Sequence, residues 1–167
     1  MNVIVSCYYE VMKAHYLIGK TKLPDDIDEG TRKILKELEG ITDQKQYLRK
    51  AYDKVTSSYK GGRINTFSRV WELFSSGIDD LINRTGFMHC TNQNYVLTNI
   101  LIKSGLFDDS DINLKWTNIW VCTPHQYLEI KVGKSKTYVD CWARHYGIPF
   151  GSFARRFNTS FTKSFAE

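Results

Sequence analysis

The stretch CTPHQYLEIKVGKSKTYVDCW, residues 122–142, carries a histidine and an aspartate 15 positions apart with a glycine between them. Tyr127, Leu128, Ile130 and Val132 have the aromatic and aliphatic texture of a strand. Gly133-Lys134-Ser135-Lys136 reads as a turn, and Thr137-Tyr138-Val139 as the returning strand. A hairpin of this kind brings His125, at the head of one strand, close to Asp140, at the end of the next. An imidazole held by a carboxylate is oriented and made more basic, the arrangement of a general base that activates a nucleophile. The rest of the chain then has to deliver that nucleophile.

Upstream of the hairpin the pattern is helical. Tyr47, Leu48, Ala51, Tyr52, Val55 and Tyr59 keep three- and four-residue spacing from residue 43, and "KGG" at 60–62 closes the run. Phe67, Val70, Trp71, Phe74, Ile78, Leu81 and Ile82 repeat the pattern as a second amphipathic helix, weakened at Gly77. From Cys90 to Ser104, the residues Gln93, Leu97, Ile100 and Leu101 share the side that carries Cys90, and Gly105 stands where a helix C-cap is expected. "KLPDDIDEG" at 22–30 reads as a loop, and the texture turns to strand near residue 112, through "KWTNIWVC" at 115–122. Helices first and strands afterwards argue an α+β domain whose helices pack on an antiparallel sheet. No repeat or low-complexity segment interrupts it, and Pro24, Pro124 and Pro149 fall at element boundaries.

That order places Cys90 at the start of a helix lying across the sheet, where it can meet the hairpin's histidine. A thiol at a helix N-terminus faces unpaired N–H groups and the positive end of the backbone dipole, which favour the thiolate. The same N–H groups can serve an oxyanion. Cys90 would attack an amide carbonyl, His125 would take and return the proton, and Asp140 would hold the imidazole's tautomer. A strand-end carboxylate reads as adding little to the core, so exchanging Asp140 for alanine is expected to leave the fold intact.

The residues that carry this reading resemble the transglutaminase-like superfamily of papain-type cysteine enzymes. In that family a Cys opens a helix that ends at a Gly, a His-x-aromatic-x-Glu-aliphatic strand follows, and a strand-end Asp completes a triad. Here Cys90 and Gly105 are 15 residues apart, His125-Gln126-Tyr127-Leu128-Glu129-Ile130 supplies the strand, and "YVDCW" supplies Asp140. The similarity runs from residue 43 to about 145. It implies a papain-like core, a catalytic triad of Cys90, His125 and Asp140, a thiol-dependent hydrolase or acyl transferase acting on peptide, glutamine or isopeptide amides, no cofactor, and a protein or peptide substrate. The chain departs from the family's pattern around the nucleophile. Met88 stands where Gly is usual, Asn94 and Tyr95 where small residues are usual, and Cys141 where Pro commonly follows the Asp.

Three other readings use the same residues, the plainest being that Cys90 is a small buried residue, His125 a satisfied strand histidine and Asp140 a turn residue. The altered surroundings of Cys90 also suit a non-catalytic domain of this fold that binds a peptide or protein. Cys122, His125, Cys141 and His145 form C-x2-H-x15-C-x3-H, a spacing that would suit tetrahedral zinc in a structural module, although this leaves Cys90 and Asp140 without a role. Near the triad, His89 is expected to shape the rim of the cleft. Glu129 shares a strand face with His125, and Asn65 is a candidate side-chain donor to an oxyanion.

The 167 residues suit one domain, with the core at about 43–145, a helical part at 1–42 and a Phe-rich tail at 146–167. In the tail, Phe153, Phe157, Phe161 and Phe165 recur every four residues and are expected to dock on the domain's own core. The formal charge is +5, but basic residues alternate with acids, and no nucleic-acid module signature is visible. No apolar run is long enough to span a bilayer, and the N-terminal stretch makes a poor secretory signal, so a membrane is not expected and the default location is cytoplasmic. Four cysteines, Cys7, Cys90, Cys122 and Cys141, are too few and too spread for a disulfide scaffold.

Overall fold

The computed structural model describes residues 16–17, 19–74, 77–119 and 123–155. The chain is a mixed α and β assembly in which helices pack on a small sheet. Helix α1 (Glu29–Glu37) starts where the Asp28 carboxylate accepts the Thr31 N–H at 2.7 Å. The expected loop therefore ends at Asp28, and Glu29 and Gly30 belong to the helix. Helix α2 (Gln44–Ser58) is capped by Asp43 and buries Tyr47, Leu48, Ala51, Tyr52 and Val55, the stripe read from the sequence.

The second amphipathic helix does not form as one piece. Its residues divide into α3 (Arg63–Ser68), a 3-10 segment (Val70–Phe74) and α4 (Ile78–Ile82). The tighter 3-10 turn shifts the phase of the stripe. Ile78 and Leu81 reach the core, whereas Phe67, Val70, Trp71 and Phe74 stay exposed, Phe67 by 64% and Trp71 by 63%.

Helix α5 (Cys90–Lys103) ends at Gly105, which takes a φ of +73° as the expected terminator. It packs against α1, α2, α4 and the sheet, so residues from Thr91 to Leu101 are buried around its whole circumference rather than along one stripe. Three of its buried side-chain amides donate hydrogen bonds. Asn94 donates to Gln126 Oε1 at 3.1 Å, Asn99 to Thr31 Oγ1 at 2.8 Å, and Gln93 to the Met88 carbonyl at 2.8 Å.

Strands β3 (Ile112–Ile119), β4 (Thr123–Val132) and β5 (Ser135–Val139) form the antiparallel sheet in the order β3-β4-β5. The β4–β5 turn is shorter than the sequence reading. Val132 pairs with Ser135 across Gly133-Lys134, and Gly133 takes a φ of +58° at the first turn position, as a II′ hairpin turn requires. A second, parallel pair joins β1 (Tyr59–Lys60), directly after α2, to β2 (Gly86–Phe87), just before α5. Met88 N–H extends this pair by donating to the Lys60 carbonyl at 3.2 Å, which fixes the approach to Cys90.

After β5 the chain turns through a 3-10 segment (Trp142–Tyr146) that brings Trp142 against Gly61. Phe150 meets Tyr52 edge to face, and Phe153 stacks on Tyr127 with centroids 4.0 Å apart and planes 7° apart. Of the expected stripe, Phe153 docks on the domain, joined by Phe150, which the stripe did not include, and Phe157, Phe161 and Phe165 lie outside the described residues. Among the described residues no helix is long and apolar enough to cross a membrane.

A Cβ on Gly61 would lie 2.3 Å from the Trp142 carbonyl oxygen and 2.6 Å from its indole ring, so Gly61→Ala must displace backbone or a packed ring. Such overpacking costs on the order of 1–3 kcal/mol, or a melting point lower by several degrees. Gly77, with nothing within 4 Å of a built Cβ, sits at the N-cap of α4, and Gly77→Ser should be neutral or slightly stabilising. Thermal melts of the two variants check the contrast.

Candidate active site

His125 lies near the head of β4 and Asp140 just past the end of β5, and the hairpin register brings them together as the sequence implied. His125 Nε2 and Asp140 Oδ2 are 2.7 Å apart, with His125 1% and Asp140 2% exposed. The carboxylate has two further partners. Its Oδ1 accepts the Ala143 N–H at 3.0 Å and its Oδ2 the Ala154 N–H at 2.9 Å. The expectation that Asp140 adds little to the fold is therefore corrected. Removing the carboxylate would strand two buried N–H groups, at about 1–3 kcal/mol each, besides leaving a buried imidazolium without its counter-charge.

The indole of Trp142 lies over the imidazole at 5.0 Å, tilted by 51°, and shields the pair from one side. Burial disfavours the charged ring, but the Asp140 carboxylate outweighs it through its charge and its hydrogen bond, and Cys90 adds to the effect. Together they push the His125 pKa up to about 10. Because Asp140 occupies Nε2, Nδ1 is the ring nitrogen left to interact with Cys90.

Cys90 is the first residue of α5, partly buried, and no side chain caps that helix start among the described residues. It shares with His125 a cleft of about 370 Å³ that includes its open mouth. The walls are mainly apolar, from Phe67, Ile119, Pro124 and Trp142, with Arg63 and Thr66 adding polar groups. Arg63 is held in place by its backbone N–H, which donates to the Tyr146 hydroxyl at 3.0 Å, and by its guanidinium, which lies over the Tyr146 ring at 4.8 Å.

The neighbours singled out in the sequence have structural partners. His89 is 2% exposed, and burial lowers its pKa. Its neutral ring can donate Nε2–H to the Arg69 carbonyl at 2.9 Å, while Phe87 packs on its edge. Met88 is buried, Tyr95 meets Tyr16 edge to face at 5.3 Å, and Asn94 bonds Gln126, so the departures around Cys90 are absorbed by the core. Glu129 pairs with Lys136 at 3.0 Å and Lys115 at 3.8 Å across both neighbouring strands. Asn65 lies against Gly62 and does not line the cleft, whereas Arg63 and Thr66 from the same helix do. Neither stood out in the sequence, because nothing in "RINT" marks which turn of α3 faces the cysteine.

Cys141 is 1% exposed, and burial pushes its thiol pKa well up. Among the described residues no group of three or more His, Cys, Asp or Glu side chains is arranged to hold a metal ion, and Cys122 of the zinc spacing lies outside them. No family model, curated protein or solved structure matches the chain.

The raised pKa of His125 has a definite sign in stability. A group whose folded pKa exceeds its unfolded value near 6.5 contributes stability that is fully present below about pH 6.5 and is lost as pH rises through about 10. Asp140→Asn keeps the shape and removes the charge. In ring-nitrogen NMR titrations His125 should stay protonated well above neutral pH in the parent chain and titrate at lower pH in the variant. The variant's denaturation midpoint should also lose most of the decline between pH 6.5 and 10 that this histidine supplies.

Proposed function

We propose that this chain is a thiol-dependent hydrolase or acyl transferase acting on amide bonds, built on a transglutaminase-like, papain-type core, with Cys90, His125 and Asp140 as its catalytic residues. The observation that carries the reading is the buried His125–Asp140 pair, whose free ring edge meets a cysteine at the uncapped start of a buried helix. The order of helix-borne Cys, strand-borne His and strand-end Asp on an antiparallel sheet supports the fold assignment. With the proton already held on the His125 imidazolium, Cys90 Sγ bonds to the substrate carbonyl carbon as a thiolate. The carbon–nitrogen bond then breaks, and the amine leaves with the proton that the imidazolium returns. Water or a second amine attacks the resulting thioester, losing a proton to the now neutral His125, and the Cys90 thiolate is regenerated. The developing oxyanion falls at the N-terminus of α5, within reach of backbone N–H groups. A protein or peptide supplies the amide, and no step needs a cofactor.

A small activated ester tests this without knowledge of the natural substrate. With p-nitrophenyl acetate, nitrophenolate should be released with one acetyl group found on Cys90 by mass spectrometry, and Cys90→Ala should abolish this. Iodoacetamide at neutral pH should label Cys90 well before the buried Cys141. Asp140→Asn should slow thioester turnover by about 10²- to 10⁴-fold, the usual worth of a positioned acid–base group. If Cys90 neither acylates nor outpaces Cys141, the same cleft reads as a binding site without chemistry.

A further inference from the structure

We infer that the exposed side chains of Ile64, Phe67, Val70, Trp71 and Phe74 form the docking surface for the substrate of the Cys90 cleft, and that this substrate is a polypeptide segment with bulky apolar side chains beside the reacting amide. The inference rests on the acyl-transfer reading above. The five side chains fall within eleven successive positions of α3 and the following 3-10 segment, each more than a third exposed. Scattered exposed apolar residues need no explanation, but a row of aromatic and aliphatic side chains at one place marks a site of interaction.

Three observations tie the row to the cleft. Phe67 belongs to both, being 64% exposed while its ring forms part of the wall facing Cys90 and His125. The cleft continues the apolar character inward through Ile119, Pro124 and Trp142. The segment carrying the row is also fastened to the helix that carries the nucleophile. His89 Nε2 lies 2.9 Å from the Arg69 carbonyl oxygen, and Asn92 Nδ2 donates to the Glu72 carbonyl at 3.1 Å. Side chains on both sides of Cys90 thus hold the row at a fixed offset from the reacting sulfur, which a substrate-positioning surface requires.

Size argues for a peptide segment rather than a folded partner. Five half-exposed side chains offer on the order of 500 Å², short of the roughly 800 Å² that each partner of a stable complex commits. An extended segment with one or two large apolar side chains would be covered well by such a strip.

The experiment compares two irreversible probes, the vinyl sulfones of N-acetyl-Phe-Phe and N-acetyl-Gly-Gly, which Cys90 modifies by thiol addition to the vinyl group. Each second-order rate is divided by the iodoacetamide rate at Cys90 in the same protein. The Phe-Phe probe should react about tenfold faster or more, the usual discrimination of an apolar site, and Trp71→Ser and Phe67→Ser should each remove most of that preference. Equal rates for the two probes, or a preference undiminished in both variants, would overturn the docking assignment. Slow iodoacetamide labelling of Cys90 would instead overturn the catalytic reading beneath it. Two further results would give the surface to another occupant: a dimer in sedimentation that Trp71→Ser dissociates, or faster modification by both probes alike when Phe157, Phe161 and Phe165 are all changed to Ser in the full chain.

Discussion

The buried carboxylate of Asp140 is the constraint around which the second half of the chain is arranged. It takes hydrogen bonds from a side chain on β4, from the backbone of the turn after β5, and from the backbone fourteen residues further on. A buried carboxylate with fewer donors would be costly, and one with three is a fixed point. Once it is fixed, the 3-10 turn must follow, and Trp142 lands over the imidazole. Trp142 in turn fills the space against residue 61, which only a glycine leaves open. Tyr146, one turn on, receives the Arg63 N–H and supports the Arg63 guanidinium, so the start of α3 is set from the same place. The residue that holds the His125 ring is thus also the residue that closes the fold around it.

The half that carries Cys90 is held by different means. The short parallel pair of β1 and β2 delivers the chain to Met88, and His89 is anchored sideways to Arg69, so the helix start has little freedom before Cys90 is reached. The helix itself is encased. Four of its side-chain amides, those of Asn92, Gln93, Asn94 and Asn99, donate to the segment before it, to the sheet and to α1. Such buried amide contacts add modestly to stability but strongly to uniqueness, because a shifted helix would leave several polar groups unpaired at once.

How much of this was legible depended on the length scale of the signal. The hairpin, the α2 stripe and the Cys90–Gly105 helix are carried by local periodicity and by a glycine at a left-handed position, so they read directly, as did the meeting of His125 with Asp140. The β1–β2 pair joins two-residue strands 27 positions apart and has no periodicity to detect. The division of the second helix was invisible for a related reason. Apolar spacing of three to four fits an α-helix and a 3-10 turn equally over a few residues, and only the packing of α4 decides where the phase breaks. The structural load on Asp140 was missed because its two backbone partners lie in segments without a motif. Arg63 and Thr66 were missed because their role comes from where α3 ends up rather than from any pattern within it.

The two halves meet beside the cleft through one further contact. Asn94 lies one helical turn after Cys90, Gln126 is the next residue after His125, and the two side chains are bonded at 3.1 Å in a buried setting. Gln126 continues the link by donating to the Tyr16 carbonyl at 2.7 Å. Apolar packing between α5 and β4 sets their distance but tolerates sliding along the strand, since dispersion contacts are non-directional. A directional bond beside Cys90 and His125 removes that freedom. Asn94, one turn after Cys90, therefore pins the register of α5 against β4 beside His125.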